Sequence, residues 1–310
     1  MSAAAPRPQP DSAALVSLGI LTLIWGYNWV AMKLALQYAG PFVFAALRTS
    51  LGGVALLSLL LIMRKPFWPR HPWRALWLGL FQTTLFIGLI CWALVSGSAG
   101  KSAVLGYTMP FWVILLAPFF LGERLRGVQW AAVGLACGGL LLIFSPWQKA
   151  PDLFSCLLAL AAGMAWGISV IIAKRTPVYG SWDLLSLTAW QMVLGAVPLV
   201  LVAWLVPSPP LQWTWTLDWT LFYNVIPSTA VGWAMWLFVV GRLSATFSGL
   251  ASLAGPVVGV LAGWLQLGER PDRAELGGML LIFAALALLA VGARRRPEPA
   301  SGGGVKPGRA

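Results

Sequence analysis

The chain has 310 residues, 59% of them hydrophobic and 10% charged, with a mean hydropathy of +0.80. Soluble domains carry about 25% charged residues, so a water-soluble globular fold is excluded. The net charge of +12 must therefore sit at the ends of apolar segments, facing an anionic membrane surface, and not on a soluble nucleic-acid-binding face.

Residues 1–12 read as a disordered cytoplasmic tail. Apolar runs of about 20 residues, enough to cross ~30 Å of hydrocarbon as helices, then follow almost without pause. Spans are predicted at 13–32, 41–63, 75–95, 102–121, 128–146, 153–173, 184–206, 219–240, 246–267 and 276–293. The first is expected to be a span and not a signal peptide, because it is too long and no small-residue cleavage site follows it. None of the runs alternates as a barrel strand does, and lipid requires internally satisfied backbone, so all are predicted to be helices. No gap between spans exceeds about a dozen residues, which leaves no room for a soluble catalytic or binding domain. Residues 294–310 read as a second, basic disordered tail.

Charge orients the spans. With both termini cytoplasmic, 15 of the 21 Lys and Arg fall on the inner side, among them Arg64, Lys65, Arg70, Arg74, Lys174, Arg175 and Arg294–Arg296. Lys33, Lys101, Lys149, Arg270 and Arg273 fall outside, and Arg48 lies within the second span.

The chain also repeats itself. "WGYNWVAMK" at 25–33 aligns with "WGISVIIAK" at 166–174, and Gly52 with Gly195. Ser98-Ala99 matches Ser244-Ala245, Pro110 matches Pro256, and "LGER" occurs at both 121–124 and 267–270, all three at an offset of 146. Five spans thus recur in order, over 13–146 and 153–293. Because five is odd, the second copy enters the membrane from the opposite face. Such inverted repeats belong to secondary transporters with a substrate site near the midplane. The expected fold is all-α integral membrane, ten transmembrane helices in two inverted five-helix repeats around a central cavity.

These paired W-G and P-to-LGER features, in register with the charge-derived topology, resemble the EamA family of the drug/metabolite transporter superfamily, over residues 13–293. The resemblance implies a basket of helices around a cavity walled by spans one, three, four, six, eight and nine, with five and ten peripheral. The branch it is most similar to is the YddG-type bacterial exporters of aromatic and other amino acids.

Candidate substrate-facing residues follow from helical spacing and the repeat. Trp25, Asn28 and Met32 share one face of the first span, and Trp166, Ser169 and Ala173 repeat it in the sixth. Gln82, Thr83 and Thr84 in the third span are matched by Ser228 and Thr229 in the eighth; such groups either bond a neighbouring helix or line a wet cavity. Pro110 and Pro256 leave the carbonyls four residues earlier, Gly106 and Ser252, without their helical donors, free for a substrate ammonium or for water. Tyr107 shares the face of Pro110. The LGER residues Glu123, Arg124, Glu269 and Arg270 are expected to be structural, closing helical hairpins after a capping glycine. Arg48 can hold a substrate carboxylate or cap carbonyls of a neighbouring helix; its repeat counterpart is the neutral Gln191 and the resemblance puts its helix outside the wall, so a structural role is expected. Trp68, Trp73, Trp77, Trp147, Trp182, Trp213, Trp215 and Trp219 are expected in the interfacial belt, and Trp92, Trp112, Trp233 and Trp236 deeper.

Neither catalysis nor a metal or other cofactor is expected. The sole histidine, His71, is in a loop, every Asp and Glu lies at or beyond a span end, and Cys91, Cys137 and Cys156 are in separate spans. The expected protein is a monomer in the cell inner membrane, without nucleic-acid partners, exporting a small, weakly charged or zwitterionic metabolite, neutral and aromatic amino acids foremost. Nucleosides, organic cations and other amphiphiles are the alternative cargo, and a passive channel or scaffold the remote one. Without an Asp, Glu or His at membrane depth, facilitated diffusion or exchange is expected.

Overall fold

The computed structural model describes residues 12–122, 127–144, 153–177, 180–240, 242 and 254–294. Residues 1–11 and 295–310 of the two tails, Glu123, Arg124, Trp147, Ser244, Ala245 and Ser252 lie outside the described residues, while Ser12 and Arg294, assigned to the tails from sequence, are helical. Within the described residues the predicted spans are helices, and there is no strand. In chain order these are α1 (Ser12–Ala35), α2 (Pro41–Ile62), α3 (Pro72–Ser96), α4 (Ala99–Leu121), α5 (Gly127–Phe144) and α6 (Leu153–Lys174), then α7 (Ser181–Leu205), α8 (Trp215–Val225, running on to Val240), α9 (Ala254–Leu267) and α10 (Arg273–Arg294). Seven of them, α1 to α4 and α6 to α8, are long and apolar enough to cross a bilayer. Several begin about three residues before the apolar run, because Trp73, Trp182 and Trp215 extend the helix into the interfacial layer.

Two helices depart from the plain α form that the sequence predicts. α3 passes through a π segment at Gly79–Leu85 and α8 through another at Ile226–Val231, equivalent places in the two copies. In α8 the cause is visible: Pro227 offers no N–H, and the Gly232 N–H bonds Pro227 O and Thr229 O. α4 is broken where a kink is expected. It stops at Gly106, turns through Tyr107 and Thr108, and restarts at Met109. Pro110 therefore occupies a first helical turn, where no N–H is needed. The turn is closed by the Tyr107 N–H to Ala103 O and by the Thr108 hydroxyl, which donates to Leu105 O at 2.6 Å. Pro256 is buried in the first turn of the described part of α9.

Packing runs through glycine notches that come in repeat-related pairs. α1 lies against α9 and α6 against α4. A Cβ on Gly26 would meet Val258 Cβ at 2.4 Å, and one on Gly167 would meet Trp112 Cβ at 2.7 Å, so the two W-G glycines are sites of close helix approach. Gly52 receives the Thr229 methyl and Gly195 the Thr83 Cβ. α5 and α10 cross at Gly139 and Gly278, each of which would drive an added Cβ into the other's carbonyl, at 2.7 and 2.6 Å. These two sit in "GGLLLIF" (138–144) and "GGMLLIF" (277–283), a further internal match that the sequence reading passes over. Both LGER glycines, Gly122 (φ +67°) and Gly268 (φ +69°), end their helices in the left-handed conformation that glycine adopts without strain.

Candidate transport site

The W-G notches leave Trp25 and Trp166 half-buried, and aromatic rings gather around them. Trp25 is tilted against Trp236 (centroids 5.8 Å) and edge-on to Trp233 (6.1 Å), both from α8. Its indole N–H donates to Ser228 O at 2.9 Å, a carbonyl that the π segment presents to α1. Trp166 meets Phe86 of α3 at 5.0 Å and Tyr107 at 5.6 Å. Tyr107, carried on the turn that breaks α4, also meets Trp29 at 6.3 Å. A narrow space between α1, α4, α8 and α9 separates Trp25 from Tyr107, lined further by Leu18, Leu21, Thr22, Trp236 and Gly255. Tyr107 is thus common to both tryptophans of the repeat: Trp166 touches its ring, and Trp25 faces it across the space.

The polar candidates divide. The Ser169 hydroxyl bonds back to Trp166 O at 2.7 Å in its own helix. Thr229 does the same to Asn224 O at 2.8 Å, Thr83 is buried at the Gly195 notch, and Thr84 donates across to Gly195 O at 2.6 Å. Ser228 is buried and Gln82 half-buried in the two π segments, and Pro110 is half-buried in α4. Asn28 differs: it is buried, and among the described residues its side-chain oxygen has no hydrogen-bond partner. The Trp112 indole N–H, at the α4–α6 crossing, also lacks one. Arg48 is buried, and its Nη1 lies 2.7 Å from Met32 Sδ of α1 where a backbone carbonyl is expected. Trp29, Phe86 and Thr22 are additions the sequence reading does not single out. The i, i+4 spacing of Trp25 and Trp29 is the signal that places Trp29 beside the site.

Charges gather at the end of the bundle where α1, α3 and α9 finish. Lys33 Nζ caps Leu94 O and Gly97 O, both at 2.7 Å. Lys101 forms an ion pair with Glu275 of α10. Glu269, from the second LGER, accepts from the first N–H groups of α4, Ala99 at 2.8 Å and Gly100 at 3.4 Å. Burial pushes the Glu269 carboxyl above its usual range, only partly offset by those two N–H groups and by Lys33 and Lys101. Arg270 is exposed at the rim of the adjoining cleft of about 600 Å³, which includes space open to solvent. At the opposite end Lys65 lies 4.4 Å over the Trp182 ring and Arg74 donates to Arg175 O.

The model of the EamA-like transporter family matches residues 13–145 and again 153–291. An "Uncharacterized transporter YoaV" of Bacillus subtilis (strain 168) is 32% identical over 281 residues, 87% of this chain and 95% of that one. A "Probable amino-acid metabolite efflux pump" of Escherichia coli (strain K12) is 27% identical over 289 residues, 89% of this chain and 94% of its own. A solved crystal structure at 20% identity shares the fold, with a TM-score of 0.64 over 93% of this chain and all of that one. Two family matches on two copies of a W-G and LGER pattern, in a multi-pass bundle of apolar helices, have one reading: the chain belongs to the EamA-like transporter family.

Proposed function

We propose that this transporter exports neutral and aromatic amino acids across the cell inner membrane by alternating access. Its ten spans form two inverted five-helix repeats, and both termini are cytoplasmic. The observation that carries this reading is that Tyr107 meets both repeat-related tryptophans, Trp166 by ring contact and Trp25 across a space lined from both halves. The paired glycine notches, Gly26 with Gly167 and Gly139 with Gly278, support the two-fold relation between the copies. The relative described as an amino-acid metabolite efflux pump supports the cargo. The protein works as a monomer and moves its substrate down the substrate's own gradient.

Counterflow in proteoliposomes of purified protein, run against amino acids, nucleosides and organic cations, tests it. An aromatic contact is worth ~0.5–1.5 kcal/mol beyond its buried area, and each ~1.4 kcal/mol is tenfold. Trp166→Ala is therefore expected to lower phenylalanine counterflow per folded molecule about tenfold. Trp213→Ala, whose ring is 63% exposed at a span end, leaves counterflow unchanged. Saturable counterflow of organic cations with none of any amino acid overturns the assignment in favour of a cation carrier, which the Trp25, Trp233 and Trp236 rings also suit.

A further inference from the structure

No acidic residue occurs between Asp11 and Glu123, so α1, α2 and α3 supply Arg48 with no carboxylate. The guanidinium lies seven residues into α2, about 10 Å along its axis, and is only 4% exposed. Its immediate company is soft: Met32 Sδ at Nη1, and the Cys91 side chain of α3 close by. A thioether is a weak acceptor, and among the described residues Arg48 Nε has no acceptor and the guanidinium no carboxylate partner. A charge at membrane depth so placed carries a large desolvation cost, which marks a functional position. One turn from Met32, on the same face of α1, Asn28 shows the complementary deficiency, a buried side-chain oxygen with no donor.

A cation without an anion and an acceptor without a donor therefore flank one helical turn, and Trp25 lies on that face a further turn away. From Trp25 to Met32 the rise is about 10 Å, which sets an aromatic end of this face apart from a cationic one, as an aromatic amino acid sets its ring apart from its carboxylate. Resting on the amino-acid reading above, we propose that Arg48 and Asn28 form the head-group subsite of the transport site: Arg48 holds the substrate carboxylate, and Asn28 Oδ1 accepts from its ammonium. The ring then lies among Trp25, Trp236 and Tyr107. This replaces the expectation that Arg48 caps neighbouring carbonyls, and it makes Arg48 the residue that separates amino acids from the corresponding amines.

The test compares phenylalanine with phenethylamine, which lacks the carboxylate, and 3-phenylpropionate, which lacks the ammonium. In the unaltered protein both analogues are expected to compete with phenylalanine counterflow at least tenfold less well than phenylalanine itself. In Arg48→Gln, phenylalanine counterflow per folded molecule falls at least tenfold while phenethylamine competition is kept, so the preference collapses; Arg48→Lys retains part of it. In Asn28→Leu the preference over 3-phenylpropionate is lost instead. Equal competition by the three compounds in the unaltered protein overturns the subsite without any variant having to fold. So does an Arg48→Gln protein that folds and still prefers phenylalanine. Absence of any amino-acid counterflow in the unaltered protein is the distinct result that overturns the proposed function as well.

Discussion

Gly195→Ala lowers the melting temperature of the detergent-solubilised protein by several degrees, whereas Gly134→Ala leaves it unchanged or slightly raised. Both substitutions add one methyl to a helix. On Gly195 of α7 that carbon would lie 2.4 Å from Gly79 O and 2.5 Å from Thr83 Cβ, and backbone cannot step aside as a flexible side-chain end can. The contact is reciprocal, since a Cβ on Gly79 would lie 2.5 Å from Gln191 O and 2.9 Å from Gly195 N. Overpacking of this kind costs ~1–3 kcal/mol. Around Gly134 nothing lies within 4 Å, so there the change only reduces the freedom of the unfolded chain. Transport is expected to fall with stability, because Thr84 also bonds Gly195 O and the notch holds the π segment that carries Gln82. Equal melting of Gly195→Ala and the unaltered protein would falsify the notch as a determinant of the fold.

The spans were legible because lipid tolerates so few alternatives: an apolar run of about 20 residues has only the helix to satisfy its backbone. The repeat was legible where it falls on residues with a steric reason to recur. Gly26 and Gly167 admit a neighbouring helix, and Gly122 and Gly268 take the left-handed turn. What a hydropathy pattern does not carry is hydrogen-bond register. Gly79–Leu85 holds no proline to mark its π form, and Pro227 in Ile226–Val231 signals a break in the hydrogen-bond ladder without saying which register replaces it. Pro110 reads equally as a kink or as the first turn of a new helix, and the Tyr107–Thr108 turn selects the second. At the site, Trp25 and Trp166 could be found from the repeat, but the fate of their polar neighbours could not. A serine hydroxyl is short enough to bond its own helix, as Ser169 does, while Asn28 keeps an unfilled acceptor.

Glu269→Ala is expected to loosen the end of the bundle where the α9–α10 connection meets α4. Glu269 joins the second LGER to the N-terminus of α4, where backbone N–H groups and the helix dipole favour an acceptor. The Lys101–Glu275 pair and the Lys33 cap hold the same junction. Access to the cleft is measured with Met279→Cys, a position buried at 2% among the cleft-lining residues. The three native cysteines are replaced, and labelling by a membrane-impermeant thiol reagent is divided by that of the exposed Gln266→Cys to remove the intrinsic pH dependence of the thiol. Loss of a charge-assisted hydrogen bond at a half-exposed carboxylate is expected to raise the corrected rate about tenfold. The pH dependence has a definite sign. Burial raises the carboxyl's proton affinity in the closed junction above that of a solvated glutamate, so protons bind more tightly to the closed form. Acidification therefore closes it further: the stabilisation is complete below the ordinary glutamate value of about 4.3 and disappears as pH rises through the raised one. Glu269→Gln, which keeps an acceptor oxygen but cannot titrate, is expected to label slowly at every pH. Opening of the cleft on acidification, or a Glu269→Ala protein that labels no faster than its parent, means that the second LGER only turns the chain and that Lys33 and Lys101 close this end without it.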